Sequence, residues 1–463
     1  MIELRSNTKA IAVGLGKSGL AAVRYLHSLG LKTAASEYKK QITAEEQAVL
    51  AECGADLELG GHTPEFFADA DLIVVSPGVP TNLPVLNAAR SRSVPVVGEL
   101  ALAAGRIPVP VIAVTGSNGK TTVTSLIGHL LRSSGKQAFV GGNIGTPVLE
   151  YLLEPGETEA AVLELSSFQL DMAGDFRPDI ALLLNLSPDH IDRHGSFENY
   201  AEAKRQIFVR QGSADIAILG ADDPMVAAKP VTTAGTVLHF GTQPGCRAKV
   251  EGQQVRLEPG FGADGAVESY DLSATRLSSL VNAYNAAAAI LAARAFGCSA
   301  DGIQAGLADY QPPMHRMTPA GEINGVCFIN DSKATNIGAV QAALAGFKKD
   351  VVLIAGGRNK GGDFTELIPA FRQHVRQVVL IGEAGPDLAV AAEAAGIGHQ
   401  FADDMRDAVR KGFALAKPGE TVLLAPACAS FDMFDNYEHR GREFSRWVGE
   451  LAGTNSQDTA LNR

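Results

Sequence analysis

The chain alternates short apolar runs with longer stretches of helical periodicity throughout its length. Runs of four or five apolar residues rich in Val, Ile and Leu are typical of strands buried on both faces of a parallel sheet. Helical patterns follow several runs, for example at 20–29 and 123–131, so repeated βα units and an α/β fold are predicted. The predicted strands are 10–13, 72–75, 111–114, 160–163, 180–184, 351–355, 378–381 and 421–425.

Two proline-containing segments interrupt this pattern. They are 105–110 (GRIPVP) and 310–316 (YQPPMHR), and prolines of this kind end helices. A third segment, 246–273, alternates polar and apolar residues among many glycines, which favours an antiparallel flap. At roughly 150 residues per domain, a chain of 463 residues also fits three domains. The predicted domains are 1–107, 108–312 and 313–463.

Composition and charge narrow the class of protein. Apolar residues make up 46% and charged residues 20%, as in ordinary globular chains. The net charge of −11 argues against generic binding to nucleic acid or to a membrane surface. Five scattered cysteines without a CxxC pair argue against a disulfide framework. The start shows no signal peptide and no run is long enough to span a bilayer, so we expect a cytoplasmic protein without membrane insertion.

A glycine-rich turn follows the predicted strand 111–114 and precedes a helix, in the sequence VIAVTGSNGKTT. Glycines let backbone N–H groups converge on phosphate oxygens, and the helix N-terminus adds partial positive charge. A lysine here reaches the outer phosphates, and the following hydroxyl can bind Mg²⁺. The spacing is shorter than GxxxxGK[ST] by two residues. The predicted ATP-binding loop is Gly116, Ser117, Asn118, Gly119, Lys120, Thr121 and Thr122.

Acidic and histidine side chains follow the next strands. Glu164 closes strand 160–163, where a carboxylate would face the phosphate loop and bind Mg²⁺, although a solvated strand end would look the same. The segment NLSPDHIDRH follows strand 180–184. There, His190 and His194 could form half of a zinc site, but no third ligand is evident, and Asp189 could simply cap a helix.

The first block carries a second glycine motif. The segment AIAVGLGKSG fits GxGxxG between a strand and a helix, and Glu37 follows at about the distance of a ribose-binding acid. The motif indicates a dinucleotide or the pyrophosphate of a nucleotide sugar. Ser76 and Gly78 follow strand 72–75, at an edge of the sheet where ligands bind, although a structural turn is equally open for Ser76.

Three segments of the last block place polar residues just beyond strands: FINDSKATNIG, VVLIAGGRNKGGDF and TVLLAPACASFD. Such residues suit an anionic small molecule, because open α/β sheets bind ligands at the carboxyl ends of their strands. Cys428 has no activating histidine nearby, so a buried structural cysteine is favoured over a nucleophile. The candidate ligands in this block are Asp331, Lys333, Thr335, Arg358, Lys360 and Ser430.

Together these motifs resemble those of the Mur ligases, ATP-dependent enzymes of peptidoglycan precursor synthesis. TGSNGKTT is similar to their phosphate loop, whose short spacing it shares and which folylpolyglutamate synthetases also carry. GLGKSG, GGNIGTP, NDSKATN and PACASFDMF are similar to the branch that adds D-glutamate, and the resemblance covers essentially the whole chain. It implies a Rossmann-like N-terminal domain for a UDP-sugar, a central P-loop ATPase-type domain and a Rossmann-like C-terminal domain for an amino acid.

The resemblance also implies an activity. D-Glutamate would be joined to UDP-N-acetylmuramoyl-L-alanine at the expense of ATP, through an acyl phosphate and a tetrahedral intermediate, by a monomer with no nucleic-acid partner. The implied catalytic residues are Lys120, Glu164, His190 and Lys204. The implied ligands of two Mg²⁺ ions are Thr121, Glu164, His190 and Lys204. Family members carbamylate the lysine that matches Lys204, which from its local sequence alone reads as a solvated lysine.

The remaining roles are implied in the same way. Tyr437 stands where the family can have Phe, a change that should matter little if only its backbone is used. The implied further ATP contacts are Asn282, Asn285, His315, Arg316, Asp331 and Lys333. The implied UDP-sugar contacts are Gly16, Lys17, Ser18, Glu37, Tyr38, Ser76, Gly78, Asn143, Ser166 and Gln169. The implied D-glutamate contacts are Thr335, Lys360, Ser430 and Tyr437.

Three alternatives stay open at the level of sequence. One is another amide ligase, either a sibling Mur ligase or a folylpolyglutamate synthetase. A second is an NAD-dependent oxidoreductase built on GLGKSG, which would leave TGSNGKTT unexplained. The third is a nucleotide-dependent switch without catalytic activity.

Overall fold

Parallel and mostly parallel sheets flanked by helices form the framework of the protein, as the alternating pattern predicts. The structure is a computed structural model that describes residues 7–260 and 266–461. In the described part of the chain, the strands form three sheets. The predicted α/β class is therefore confirmed. Each predicted apolar run coincides with a strand of one of these sheets, although the runs 180–184 and 421–425 extend one residue past their strands.

The first sheet is parallel, with the strand order β3-β2-β1-β4-β5. Gly14 (φ 83°) directly follows its central strand, and a Cβ at Gly19 would lie 1.8 Å from the carbonyl oxygen of Gly14. The GxGxxG turn therefore needs glycine at both positions for steric reasons. Its elements are β1 Lys9–Val13, α1 Lys17–Ser28, β2 Lys32–Glu37, α2 Ala44–Glu52, β3 Asp56–Leu59, β4 Leu72–Val75, α3 Pro84–Ser91, β5 Val96–Gly98 and α4 Glu99–Ala103.

The second sheet contains the strand that leads into the phosphate loop. Its order is β14-β13-β12-β11-β10-β9-β6-β8-β7, so β6 lies between β8 and β9. Its strand elements are β6 Val111–Thr115, β7 Ala138–Gly142, β8 Ala160–Glu164, β9 Ile180–Leu183, β10 Ile216–Gly220, β11 Thr236–Gly241, β12 Ala248–Glu251, β13 Gln254–Leu257 and β14 Glu268–Asp271. The helices between residues 120 and 309 are α5 Lys120–Ser133, α6 Val148–Tyr151, α7 Ser167–Asp171, α8 Ile191–His194, α9 Phe197–Arg205, α10 Pro224–Ala227, α11 Leu280–Ala295 and α12 Ala300–Asp309.

The antiparallel flap predicted for 246–273 is present. Strands β12, β13 and β14 pair antiparallel at the edge of the second sheet, next to the parallel strand β11. Residues 261–265 of this segment lie outside the described residues.

The third sheet has the order β15-β16-β20-β17-β18-β19, and all its pairs except β15–β16 are parallel. The carboxyl ends of β16, β20 and β17 are therefore neighbours on one edge. Its elements are β15 Thr318–Ile323, β16 Val326–Asn330, α13 Ile337–Leu344, β17 Val351–Gly356, α14 Ile368–His374, β18 Val375–Ile381, α15 Gly385–Ala394, β19 Gly398–Phe401, α16 Met405–Leu415, β20 Thr421–Leu424 and α17 Tyr437–Leu461.

The chain divides into two compact units. The first comprises 1–186, 201–275 and 284–310, and the second comprises 187–200, 276–283 and 311–463. The predicted domain boundaries at 107/108 and 312/313 fall between the three sheets and stay a prediction. No helix in the described part of the chain is both long and apolar enough to cross a membrane.

Candidate active site

The phosphate loop joins β6 to α5 in the first unit. Gly119 (φ 84°) is the residue before α5, and a Cβ placed there would lie 2.5 Å from Asn285 Oδ1. The Lys120 side chain folds over the loop, and its Nζ donates to the carbonyl oxygens of Gly116 (2.7 Å) and Ser117 (2.9 Å). The loop thus has the backbone geometry and the lysine that a phosphate site needs.

Asn185 fixes the conformation of this loop, a role that the sequence motifs alone did not reveal. The N–H of Asn118 donates to Asn185 Oδ1 at 2.8 Å, and Asn185 Nδ2 donates to the carbonyl of Asn118 at 3.1 Å. The N–H of Ser117 also donates to the carbonyl of Asn185 at 3.0 Å. The only available signal was its position, close behind the buried strand β9.

Oxygen atoms suited to Mg²⁺ lie beside the loop. Thr121 Oγ1 donates to Glu164 Oε2 at 2.6 Å, and Asn143 Nδ2 donates to Glu164 Oε1 at 2.8 Å. Glu164 is only 2% exposed, so its carboxylate is available to the loop rather than to bulk solvent. A carboxylate and a hydroxyl next to a phosphate loop fit a hard cation such as Mg²⁺. The described residues contain no group of three or more His, Cys, Asp or Glu side chains placed to hold a metal ion.

Lys204 lies on α9 and is fully buried, at 2% exposure. Its Nζ is 3.4 Å from Thr115 Oγ1, at the end of β6, and that hydroxyl donates to the carbonyl of Leu165 at 2.8 Å. The interpretation of Lys204 from its local sequence as a solvated lysine is therefore wrong. Burying an amino group costs free energy unless polar partners surround it. A buried lysine at the end of the strand that leads into the phosphate loop therefore points to a chemical role.

The implied adenine contacts both lie on α11. Asn282 and Asn285 are three residues apart and share a face of this helix. Asn285 is 8% exposed, and its side chain occupies the space that a Cβ at position 119 would need. Between them, the pKa of Tyr284 is raised to about 12 by burial and by the neighbouring carboxylate of Asp222, so the phenol stays protonated.

In the first sheet, Glu37 and Ser76 hold the glycine turn. The carboxylate of Glu37 accepts the N–H of Leu15 at 2.7 Å and the N–H of Lys39 at 3.0 Å. Burial acts to raise the pKa of Glu37, but these backbone donors outweigh it and the pKa is lowered. Ser76 Oγ donates to the carbonyl of Gly14 at 2.8 Å. The bond from Ser76 fits a structural role in the turn. Both carboxylate oxygens of Glu37 already accept hydrogen bonds from backbone N–H groups.

Other implied UDP-sugar contacts are also engaged in local structure. Ser166 and Gln169 form a capping box that starts α7. Buried Glu99 accepts the N–H of Leu149 at 3.1 Å, and hydrogen bonds from Ser18 and Gln169 also act on its carboxyl group, although burial dominates and raises its pKa. Glu99 was not singled out from the sequence. The remaining members are Gly16, which caps α1, Lys17, which begins it, Tyr38, which is 76% exposed, and Gly78.

A pocket lies in the second unit at the carboxyl edge of the third sheet. Lys360 Nζ is 2.8 Å from Asp189 Oδ1, and Asn336 Nδ2 donates to Asp189 Oδ2 at 3.2 Å. Thr335 also lines it. Two of the four implied D-glutamate contacts, Thr335 and Lys360, are therefore brought together, and the sequence did not pair Asp189 with them.

His190, the implied second-metal ligand, belongs to this second unit, whereas Thr121, Glu164 and Lys204 belong to the first. His190 itself precedes α8 with φ 54°, a backbone conformation that non-glycine residues seldom adopt. His190, rather than Asp189, is therefore the N-cap residue of α8. Strained backbone of this kind is often found at functional sites.

The loop after β20 carries Ser430 and Cys428, both buried. Burial raises the pKa of the Cys428 thiol to about 12, so it is protonated at neutral pH and a poor nucleophile. This agrees with the structural role that the sequence favoured.

Two charged residues after β16 have unusual surroundings. Burial raises the pKa of Asp331 to about 7, against the opposing effects of Arg316 and of the N–H of Met317, 3.2 Å away. Lys333 Nζ lies 3.9 Å from the centroid of the Tyr437 ring, a cation–π contact. The ring of Tyr437 thus contacts Lys333, and the part of Tyr437 that a substrate would use stays a prediction. His315 is buried with φ 63°, and burial lowers its pKa.

Three helix-flanked sheets, with a lysine-bearing loop of phosphate-binding geometry in one and a pocket lined by Lys360 in another, are typical of nucleotide-dependent α/β enzymes. Residues 8–98 match the N-terminal domain described as Mur ligase MurD-like. Residues 114–293 match the Mur ligase middle domain, and 315–428 match the domain described as Mur ligase, glutamate ligase domain. The chain belongs to the Mur ligase family. It is an ATP-dependent, amide-forming ligase, which decides against the oxidoreductase and the switch.

Curated relatives match over nearly the full chain. The UDP-N-acetylmuramoylalanine–D-glutamate ligase of Desulfotalea psychrophila is 44% identical over 98% of this chain and 98% of its own. The enzyme of the same name from Koribacter versatilis is 40% identical over 96% of this chain and 98% of its own. Among solved structures, MurF ligase from Thermotoga maritima in complex with ADP has a TM-score of 0.60 at 19% identity, covering 97% of this chain and 98% of its own. That similarity shows the shared fold.

Proposed function

We propose that this enzyme joins D-glutamate to UDP-N-acetylmuramoyl-L-alanine, with ATP converted to ADP and phosphate, in peptidoglycan precursor synthesis. The pocket lined by Thr335, Asn336 and Lys360 is the structural observation that supports an anionic amino acid. The names of relatives that match almost the whole chain at 37–44% identity support D-glutamate and the UDP-sugar. They favour this reaction over that of a sibling ligase or a folylpolyglutamate synthetase.

In the proposed site, the phosphate loop holds the phosphates of ATP. Lys120 exchanges its bonds to loop carbonyls for the outer phosphates, while the fixed N–H groups of the loop stabilise negative charge. Thr121 and Glu164 would hold a Mg²⁺ ion, with His190 and Lys204 assigned to a second ion. When bound, these ions neutralise charge on the phosphates. Asn282, Asn285, His315, Arg316, Asp331 and Lys333 are the other proposed ATP contacts.

A carbamate on Lys204 is part of this proposal. A protonated lysine cannot bind a cation, whereas carbamylation replaces the ammonium with a carboxylate-like oxygen donor. Only a neutral amine reacts with carbon dioxide, and burial disfavours the charged form of a lysine. The burial of Lys204 next to Thr115 therefore supports this chemistry.

The UDP-sugar is proposed to bind at the glycine turn of the first sheet and at Asn143. The Asn143 amide touches Glu164, which would bring the substrate's reacting end towards the phosphate loop. The remaining proposed contacts are Gly16, Lys17, Ser18, Glu37, Tyr38, Ser76, Gly78, Ser166 and Gln169.

The amino acid is proposed to bind to Thr335, Lys360, Ser430 and Tyr437. Lys360 would exchange Asp189 for a substrate carboxylate, which carries the same charge and similar oxygen geometry. The carboxylate of Asp189, which also accepts a hydrogen bond from Asn336, would then accept a proton from the incoming ammonium group.

Chemically, the reaction needs a leaving group on a carboxylate that an amine cannot otherwise attack. The L-alanyl carboxylate attacks the γ-phosphorus of ATP, forming an acyl phosphate and ADP. The D-glutamate nitrogen then attacks the acyl carbon, and the tetrahedral intermediate expels phosphate to leave the amide. Positioning and charge neutralisation by the protein account for most of the acceleration expected for such a phosphoryl transfer.

A panel of amino acids tests this proposal directly. The enzyme is incubated with ATP, Mg²⁺ and UDP-N-acetylmuramoyl-L-alanine plus D-glutamate, L-glutamate, L-alanine, L-lysine or meso-diaminopimelate, and ADP and products are measured. Release of ADP only with D-glutamate, with one glutamyl residue added to the nucleotide sugar, is expected. Preference for another amino acid, or for a folate substrate, would assign the enzyme to a different amide ligase.

Three further expectations belong to this proposal. The enzyme acts as a monomer, in the cytoplasm, where ATP and UDP-sugars are available. The limits 1–107, 108–312 and 313–463 are the proposed UDP-sugar, ATP and amino-acid domains. Each would recognise one of the three substrates.

A further inference from the structure

Arg440, on α17, is the most deeply buried arginine of the third sheet's unit, at 1% exposure. Its Nε donates to Ser332 Oγ at 3.0 Å, and its Nη2 donates to the carbonyl oxygens of Ser332 (2.9 Å) and Cys428 (3.1 Å). Its Nη1 donates to the carbonyl oxygens of Cys428 (3.1 Å) and Ala429 (3.3 Å). These five bonds match the five N–H donors of a guanidinium.

The acceptors belong to loops at the carboxyl ends of neighbouring strands. Ser332 follows β16, and Cys428 and Ala429 follow β20. A third loop, after β17, joins them, because Arg358 and Ala429 exchange backbone hydrogen bonds of 2.9 Å in both directions. In the proposed function, the loop after β16 carries Lys333 and Thr335, the loop after β20 carries Ser430, and the loop after β17 carries Lys360. The Arg440 side chain therefore supports the loops of the amino-acid site without lining the pocket.

The loop after β20 needs such support. Ala427 lines the pocket with φ 61°, a left-handed conformation that residues other than glycine rarely adopt. Its N–H donates to the carbonyl of Ala334 at 2.9 Å, which ties it to the loop after β16. Arg440 donates to the next two carbonyls along the chain, those of Cys428 and Ala429. It therefore stabilises the turn that follows Ala427.

The charge of Arg440 also matters. All its acceptors are uncharged, and burial lowers its pKa to about 10, which still leaves it protonated at neutral pH. The neighbouring Cys428 thiol is neutral there. A buried positive charge without a bonded carboxylate thus lies under loops that, in the proposed function, receive an anionic amino acid.

We propose that Arg440 is a positioning residue for the amino-acid pocket: its guanidinium joins the loops after β16 and β20 and fixes the turn that presents Ser430. This rests on the proposed function for the identity of the amino acid. Lysine would keep the charge but has three donors in a different geometry, so it cannot make the same five bonds. Arg440→Lys therefore separates the geometric role from charge alone.

The test compares wild type, Arg440→Lys, Ser332→Ala and Arg446→Ala in full steady-state kinetics. Arg446 lies on the same helix, half exposed and paired with Glu443, and serves as the matched control. For Arg440→Lys, we expect the KM for D-glutamate to rise about tenfold or more while the KM for the UDP-sugar stays within about twofold. Ser332→Ala removes the hydroxyl acceptor of Arg440 together with that hydroxyl's own bond to the carbonyl of Tyr437. It should raise the same KM by a smaller factor, and Arg446→Ala should match wild type.

Hydrogen exchange provides a second readout that does not require turnover. In Arg440→Lys, the amides of Ala427 and Ala429 should exchange faster than in wild type, while amides of the second sheet are unchanged. Unaltered exchange there, or a D-glutamate KM unchanged in both folded variants, would overturn the proposal. If Arg440→Lys does not fold, exchange at Ala427 and Ala429 in Ser332→Ala decides, because the KM of that variant also reports the lost bond to Tyr437. Failure of wild type to use D-glutamate would instead refute the proposed function, and exchange would still judge the role of Arg440.

Discussion

Gly119 provides a sharp test of how the phosphate loop is built. It has φ 84°, where an L-residue costs about 1–2 kcal/mol, and an added Cβ would lie 2.5 Å from Asn285 Oδ1. In Gly119→Ala, the loop or Asn285 must move, and ATP can bind only if the strained geometry is restored. At about 1.4 kcal/mol per factor of ten, the backbone cost alone predicts a loss of about 5- to 30-fold in kcat/KM for ATP.

Gly135, beyond the opposite end of α5, is the matched control. It also has positive φ, at 77°, but a Cβ there meets no atom within 4 Å. Gly135→Ala should lower stability by a similar amount and leave kcat/KM for ATP unchanged. Removing the contact in Asn285→Ala should make the further change at Gly119 less harmful than in wild type, which a double-mutant cycle measures. Equal ATP kinetics for the two alanine variants would refute this account of the loop.

Three further variants probe the same site. Lys120→Ala should abolish ATP-dependent ligation because no other side chain replaces its charge in the loop, and near-normal product formation would defeat the assignment. Lys204→Ala should lose activity and regain part of it with added short carboxylates, whereas absence of rescue at any concentration would count against a carbamate. Asp331 has a pKa of about 7 when folded, above its usual 3.8. Between those values the native state retains a proton that the unfolded chain has lost, so stability falls as pH rises, by up to about 1.4 kcal/mol per pH unit. Asp331→Asn should remove this loss, so the Tm of the ligand-free variant should gain on wild type between about pH 4 and pH 7. A constant Tm difference would contradict it.

The sheets were predictable because periodicity records burial along a single strand. Runs such as Val351–Gly356 are buried at every position, and their apolar sequence reports that directly. The glycine motifs were equally readable, since positions such as Gly19 leave no space for a side chain. Local sequence therefore gave the α/β class, the phosphate loop and the antiparallel flap.

What local sequence could not give was which distant side chains meet. Lys204 reads as an ordinary helix lysine, because its burial depends on β6, which is 89 residues away. Asn185 and Arg440 bond to backbone groups far along the chain, and backbone acceptors carry no sequence signature. The pairing of Lys360 with Asp189 likewise joins loops separated by 171 residues. Resemblance to a family supplied the role proposed for Lys204, but it pointed to neither Asn185 nor Arg440.

The most direct test of the central claim follows oxygen from the substrate. UDP-N-acetylmuramoyl-L-alanine labelled with ¹⁸O in its L-alanyl carboxylate is converted with ATP and D-glutamate, and the phosphate released is analysed by mass spectrometry. If the carboxylate is activated as an acyl phosphate, each phosphate released carries one oxygen from the substrate, and equal amounts of ADP and glutamylated product form. Unlabelled phosphate, or ADP formed without addition of D-glutamate to the nucleotide sugar, would contradict the account.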